Sequence, residues 1–155
     1  MIWVHRGPDL IPCSFDNRFR VAQGMTRIEL AQEQATLRSQ GWRVLIVEDE
    51  FLLADDLAKA FRKADIDIVG PTPSRSQALA LIAQKNVTTA VLDISLDGDN
   101  VYEVADALIE RDVPILFVTG YDRSDIPSRY AEVPICQKPI GADAVIAALE
   151  RIVPK

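Results

Sequence analysis

The sequence predicts an α/β fold: a doubly wound five-stranded parallel sheet with helices on both faces. Three observations carry this. Five short runs of β-branched and aliphatic residues recur along residues 43–155. A segment lies between each pair of runs, and most of these segments repeat apolar residues at helical spacing. The first run, Val44-Leu45-Ile46-Val47, is apolar throughout, as expected of a strand covered on both faces. Strands alternating with helices in this way form parallel sheets with right-handed crossovers.

The elements follow in order. After the first strand, Glu50 to Ala64 carries Phe51, Leu53, Leu57, Ala60, Phe61 and Ala64 at helical spacing. Ile66-Asp67-Ile68-Val69 reads as the second strand, ended by Gly70-Pro71. Ser74 is placed to cap a helix running to Gln84, with Ala78, Leu79, Leu81 and Ile82 inward. Thr89-Ala90-Val91-Leu92 is the third strand. Val101 to Arg111 is a helix turning Val104, Ala105, Ala107 and Leu108 to the core. Pro114 opens the fourth strand, Ile115 to Val118, where a first-residue proline is tolerated. Asp122 to Val133 holds Pro127 and is expected to contain little helix. Val133-Pro134-Ile135-Cys136 is a short fifth strand, and Asp143 to Ile152 a closing helix burying Val145, Ile146, Leu149 and Ile152.

Residues 1–42 form an N-terminal extension with a different character. They carry a net charge of +1, against −7 for the remainder, out of −6 for the 155-residue chain. Pro8, Pro12 and Gly24 punctuate a loose tail. Thr26-Arg27-Ile28-Glu29 fits a capping box, which predicts a helix over 27–39 with a thin apolar face. That helix either rests on the domain or pairs with a second copy, and Met25 is a second candidate start. Trp42 lies outside the strong core pattern, covering the domain edge or pinning the extension.

Composition narrows the function. With 48% hydrophobic and 26% charged residues the chain is globular. Its acidic balance argues against a nucleic-acid partner bound through phosphates. One histidine and two distant cysteines exclude a four-ligand zinc site and fit a reducing compartment, with Cys136 a small buried apolar residue. No apolar run is long enough for a membrane span, and MIWVHRGPDLIP lacks a signal peptide's apolar core. A soluble, cytoplasmic protein is expected, and any chemistry falls to carboxylates.

In open α/β sheets, ligands bind beyond the carboxyl ends of the strands. Glu48-Asp49-Glu50 follow the first strand, Asp93 the third, Thr119 and Gly120 the fourth, and Lys138-Pro139 the fifth. Neighbouring strands lie about 4.8 Å apart, so these groups converge if the strands are adjacent. Clustered carboxylates repel, and Mg²⁺ relieves the repulsion through oxygen ligands. Lys138 and Thr119 suit phosphoryl oxygens. A metal, a carboxylate nucleophile and two oxyanion partners are the equipment for an aspartyl phosphate.

The ordered motifs Val-Glu-Asp-Glu, Val-Leu-Asp-Ile-Ser-Leu-Asp-Gly, Phe-Val-Thr-Gly-Tyr and Lys-Pro resemble the receiver domain of two-component response regulators. Each acid taken alone reads better as a helix cap or turn residue, and only the four motifs together in order are specific. The resemblance covers residues 43 to about 154 and implies a flavodoxin/CheY-like sheet of order 2-1-3-4-5. It implies Asp93 as phosphoacceptor, Asp49 as direct Mg²⁺ ligand, Glu48 as a ligand through water and the Ser95 carbonyl as the remaining protein ligand. Thr119 matches the switch hydroxyl, Lys138 the family lysine, with a cis bond to Pro139. Gly120 matches the small access position and Gly98 a flexible turn. The sequence departs at Ile135, where many receivers carry an aromatic switch residue; Tyr121 is a candidate substitute. Phe-Val-Thr-Gly-Tyr also resembles a branch with a Phe-Ala-Thr-Gly-type signature and an unusual fourth helix. The implied partner is a sensor histidine kinase or histidine phosphotransfer protein, with output by protein–protein contact. The chain is expected not to be an enzyme beyond self-phosphorylation and dephosphorylation. No membrane or nucleic-acid partner is expected, and a homodimer is left open. Two rivals are a phosphorylation-independent pseudo-receiver, which Ile135 favours, and an aspartate phosphatase, which would want an acid where Ser95 stands.

Overall fold

The computed structural model describes Thr26 and residues 41–154. The helix expected over 27–39 and the rest of the N-terminal extension lie outside the described residues. Strands β1 (Arg43–Val47), β2 (Asp67–Thr72), β3 (Thr89–Leu92), β4 (Ile115–Thr119) and β5 (Ile135–Gln137) alternate with helices α1 (Phe51–Lys63), α2 (Arg75–Gln84), α3 (Tyr102–Ile109) and α4 (Ala142–Ile152). The five strands form one parallel sheet in the order β2-β1-β3-β4-β5, the expected flavodoxin/CheY-like topology.

Because side chains alternate along a strand, each strand feeds both faces of the sheet. Val44, Ile46, Val91, Leu116 and Val118 pack with Leu57 and Phe61 of α1 and Val145 and Leu149 of α4. Leu45, Val47, Leu92 and Phe117 pack with Ala78 and Ile82 of α2 and Val104 and Leu108 of α3 on the other face. This is why the first run carries no polar residue. Trp42 is buried in the α1/α4 face. Ser74 caps α2 as expected, its hydroxyl accepting from the Gln77 N–H at 3.3 Å. The strand order reverses about β1, so the ends of β1 and β3 flank the crevice where ligands of such sheets bind.

Several boundaries differ from the sequence reading. Strand β2 does not end at Gly70-Pro71 but continues to Thr72. As an edge strand it tolerates the proline. Gly70 has φ +95°, and a Cβ there would lie 3.0 Å from the Ile46 carbonyl oxygen, so the close approach requires glycine. Phe51 is not core: at the first position of α1 it is 78% exposed, and Ala54 and Ala58 join Leu57 and Phe61 as the buried residues. Strands β4 and β5 each extend past the apolar run, to Thr119 and Gln137. A two-stranded hairpin, Ser95–Leu96 with Asp99–Asn100, was not anticipated; Gly98 makes its turn at φ +84°. Between β4 and β5, helix is reduced to two short 3₁₀ turns, Arg123–Asp125 and Ser128–Tyr130, flanking Pro127. Cys136 is buried as expected but is disulfide-bonded, which departs from the reducing compartment that two distant cysteines fit.

Candidate functional site

The backbone alone brings the strand-end residues together. The Asp93 N–H continues the β1–β3 ladder by donating to the Val47 carbonyl at 2.8 Å, and the Lys138 N–H extends the β4–β5 ladder by donating to the Thr119 carbonyl at 2.9 Å. Asp93 therefore stands beside Glu48, and Lys138 beside Thr119. The Lys138-Pro139 bond is cis, as the resemblance implied.

The Lys138 ammonium lies 2.8 Å from Asp93 Oδ2 and 2.9 Å from Glu48 Oε2, with Glu50 Oε2 at 3.9 Å. Glu48, Asp93 and Thr119 are buried, Asp49 half-buried. Ligand oxygens of Glu48, Asp49 and Asp93 all lie within 4.8 Å of one another. The backbone fastens these acids. The Glu50 N–H donates to Glu48 Oε1 at 2.9 Å, the Ser95 N–H to Asp93 Oδ1 at 3.2 Å and the Asp97 N–H to Asp49 Oδ2 at 2.8 Å. The hairpin thus latches onto the acid that follows β1.

Burial raises the Glu48 pKa above the ordinary carboxylate value, with the Asp93 charge adding to it and Lys138 opposing it. Burial works against the Lys138 ammonium, but its hydrogen bonds to Asp93 and Glu48 outweigh this and raise its pKa. One cation therefore serves an excess of acids. The donor set, three carboxylates converging on one point, suits a hard divalent cation with oxygen ligands.

Of the remaining sequence candidates, Gly120 is exposed at the rim. The Thr119 hydroxyl accepts from the Tyr121 N–H at 3.2 Å. Ile135 pairs with Phe117 in the sheet. Tyr121 is 43% exposed, and the buried tyrosine on this side of the sheet is Tyr130, 1% exposed and packed with Phe117. The sequence reading missed Tyr130 because it lies in the one segment without a periodic pattern.

An open parallel sheet with an acidic pocket closed by a lysine at its carboxyl edge defines a receiver-type α/β domain. The chain belongs to the response regulator receiver domain family, whose model matches residues 44–150. It is 34% identical over 84 residues to the sensory transduction protein LytT of Bacillus cereus, covering 52% of this chain and 34% of that protein. It is 27% identical over 112 residues to the transcriptional regulatory protein PdtaR of Mycobacterium tuberculosis, covering 70% and 55%. The chain thus spans between a third and about half of the curated relatives it matches. The solution structure of SdrG from Sphingomonas melonis Fr1 superimposes with a TM-score of 0.64 at 35% identity, covering 73% of this chain and 97% of that one. Receiver domains are signalling modules and not enzymes in the classical sense. No helix among the described residues is long and apolar enough to cross a membrane.

Proposed function

We propose that residues 43–155 act as a phosphorelay receiver in which Asp93 accepts a phosphoryl group from the phosphohistidine of a sensor histidine kinase or histidine phosphotransfer protein. The observation that carries this is the Lys138 ammonium at 2.8 Å from Asp93, beside two further acids that converge with it. An Asp93 carboxylate oxygen attacks phosphorus. The new O–P bond forms as the P–N bond breaks, and its electron pair leaves on the partner's imidazole. Positioning and electrostatics carry such transfers. Lys138 neutralises charge on the phosphoryl oxygens, and the Thr119 hydroxyl donates to one of them. Glu48, Asp49, Asp93 and the Ser95 carbonyl would hold Mg²⁺, whose chemistry there is to neutralise the acids and phosphoryl oxygens together. Gly120 leaves the rim open for the donor.

The phosphorylated state biases a pre-existing equilibrium of the surface, and output is by contact with a protein partner. The charge of −7 on residues 43–155 supports a protein over a nucleic acid as that partner. A cytoplasmic location belongs to the same proposal. Incubation with Mg²⁺ and acetyl phosphate is expected to add one phosphoryl group by intact-mass measurement, and Asp93→Asn to abolish the gain. A persistent gain in the variant, or none in the native chain, would sink the reading. The latter result would favour a phosphorylation-independent binding module, for which Ile135 at the aromatic switch position speaks.

A further inference from the structure

A second cluster lies on the α2/α3 face, away from the acidic pocket. The Tyr130 ring is buried, edge-on to Phe117 at 5.6 Å between centroids and stacked on Tyr102 at 5.1 Å. Its hydroxyl donates to Asp106 Oδ1 at 2.6 Å and lies 3.2 Å from the Tyr102 carbonyl oxygen. The Arg129 guanidinium covers both rings, 4.6 Å from the Tyr130 centroid and 5.6 Å from that of Tyr102, and reaches Asp106 at 3.5 Å. Tyr102 and Asp106 belong to α3. Tyr130 belongs to the 120–131 segment. The phenol therefore ties that segment to the helix.

Two physical lines lead from the pocket to this phenol. The first runs along β4: Phe117 is two residues before Thr119, so both side chains point to one face of the sheet, and Phe117 touches Tyr130. The second runs through the segment. Its first link is the Tyr121 N–H, held by the Thr119 hydroxyl. Further on, Arg123 donates to the carbonyls of Tyr130 and Val133 at 3.3 and 3.0 Å, and the Gln137 amide donates to Asp122 at 2.8 Å. These bonds make the segment move as a unit. Movement of the Thr119 hydroxyl toward Asp93 disturbs both lines at their origin. Ile135, aliphatic and paired in the sheet, has no polar group with which to change partners. Tyr130 has one, bonded to a carboxylate on the neighbouring helix.

We propose that Tyr130 is the positioning residue through which occupancy of Asp93 reaches α3, the Tyr130–Asp106 hydrogen bond making the 120–131 segment and the helix respond together. The inference rests on the phosphoacceptor reading of Asp93. Coupling of this kind needs an element with two arrangements that both sites bias. Here that element is the segment, closed on α3 or released from it.

The test uses Mg²⁺ with beryllofluoride as the phosphoryl stand-in and backbone amide NMR shifts of the full chain. In the native protein, shifts are expected around Asp93, Thr119 and Lys138 and also across 102–109. In Tyr130→Phe, which keeps the ring, the pocket shifts remain and those across 102–109 fall to less than half. Asp106→Ala, at a half-exposed position that tolerates the change, reproduces the loss should the first variant fold poorly. Asp106→Asn retains a hydrogen-bond acceptor and keeps the response. A helix response undiminished in Tyr130→Phe or Asp106→Ala, or lost equally in Asp106→Asn, overturns the proposal. If the pocket responds in the native chain and α3 does not, the coupling alone is refuted. If the pocket itself is silent, the phosphoacceptor reading falls and the coupling with it.

Discussion

At the carboxyl edge of the sheet, Glu48, Glu50 and Asp93 gather about a single ammonium, Lys138. Beside α3, Tyr102, Asp106 and Arg129 gather about a single phenol, Tyr130. Each cluster is built on buried, hydrogen-bonded groups, Glu48 and Asp93 in the first and Tyr130 in the second, and among the described residues no buried side-chain polar atom lacks a partner. They differ in balance. The acidic pocket holds more negative charge than its lysine neutralises, so it stores repulsion that an incoming cation and phosphoryl group relieve. The aromatic cluster is complete as it stands: its area is buried, its hydroxyl bonded and its carboxylate matched by Arg129. A site prepared for a ligand is left wanting charge, whereas a site that holds the fold together is left wanting nothing.

Removing a key residue from each cluster should therefore have opposite consequences for ligand response. Lys138→Met leaves Glu48 and Asp93 buried without their cation. Breaking a buried pair from one side costs about 4 kcal/mol. Urea unfolding should show this loss, and millimolar Mg²⁺ should restore part of it by binding only the folded state. Tyr130→Ala opens a cavity and costs about 3 kcal/mol. Mg²⁺ should stabilise this variant no more than it stabilises the native chain, and Lys138→Met more than either; an equal gain in both variants would erase the distinction.

Tyr130→Phe loses only the hydroxyl bonded to a carboxylate, a cost of about 2 kcal/mol. It also removes a pH dependence. Burial, with the Asp106 hydrogen bond, pushes the Tyr130 phenol up to about 12. The ordinary value is about 10. A raised folded-state value favours the protonated form, so this stability is fully present below about pH 10 and is lost as the pH rises toward about 12. Tyrosinate absorbance should show one of the three tyrosines ionising last, and Tyr130→Phe should abolish that step. The smallest effect belongs to Arg129→Ala. Its ion pair and cation–π contacts sit at the surface, so the melting temperature should hardly move. The Tyr130 phenol should titrate still higher, because Arg129 favours its ionised form. A large melting shift would mean the guanidinium is structural after all.

Much of the fold was legible because its signals are local. Val44 to Val47, Ala90 to Leu92 and Ile115 to Val118 are apolar runs that burial on both faces demands, and each lies in a central strand. Ser74 announced its helix through a side chain that bonds its own next turn. The pocket acids were legible for a related reason: each follows a strand directly, and a parallel sheet brings those ends together. The misses were non-local. Gly70 and Pro71 read as a stop, yet β2 runs through them, because an edge position forgives a missing N–H and the approach of Ile46 requires a residue without a Cβ. Phe51 fitted the helical stripe but starts the helix, one turn short of anything to pack on. Tyr121 stands two residues after Thr119 along the chain, but Tyr130 is the tyrosine that packs against Phe117 of the strand.

By itself, then, the sequence determined the alternation of elements, the parallel sheet and the identity of the acids, hydroxyl and lysine at its edge, since patterning and strand ends are properties of neighbouring residues. Only the tertiary structure decided that one ammonium bridges Asp93 and Glu48, that the hairpin latches Asp49, and that Tyr130 joins the 120–131 segment to α3. Those pairings span 45, 48 and 24 residues of chain. Contacts between residues so far apart are set by how the layers pack, and no local pattern records them.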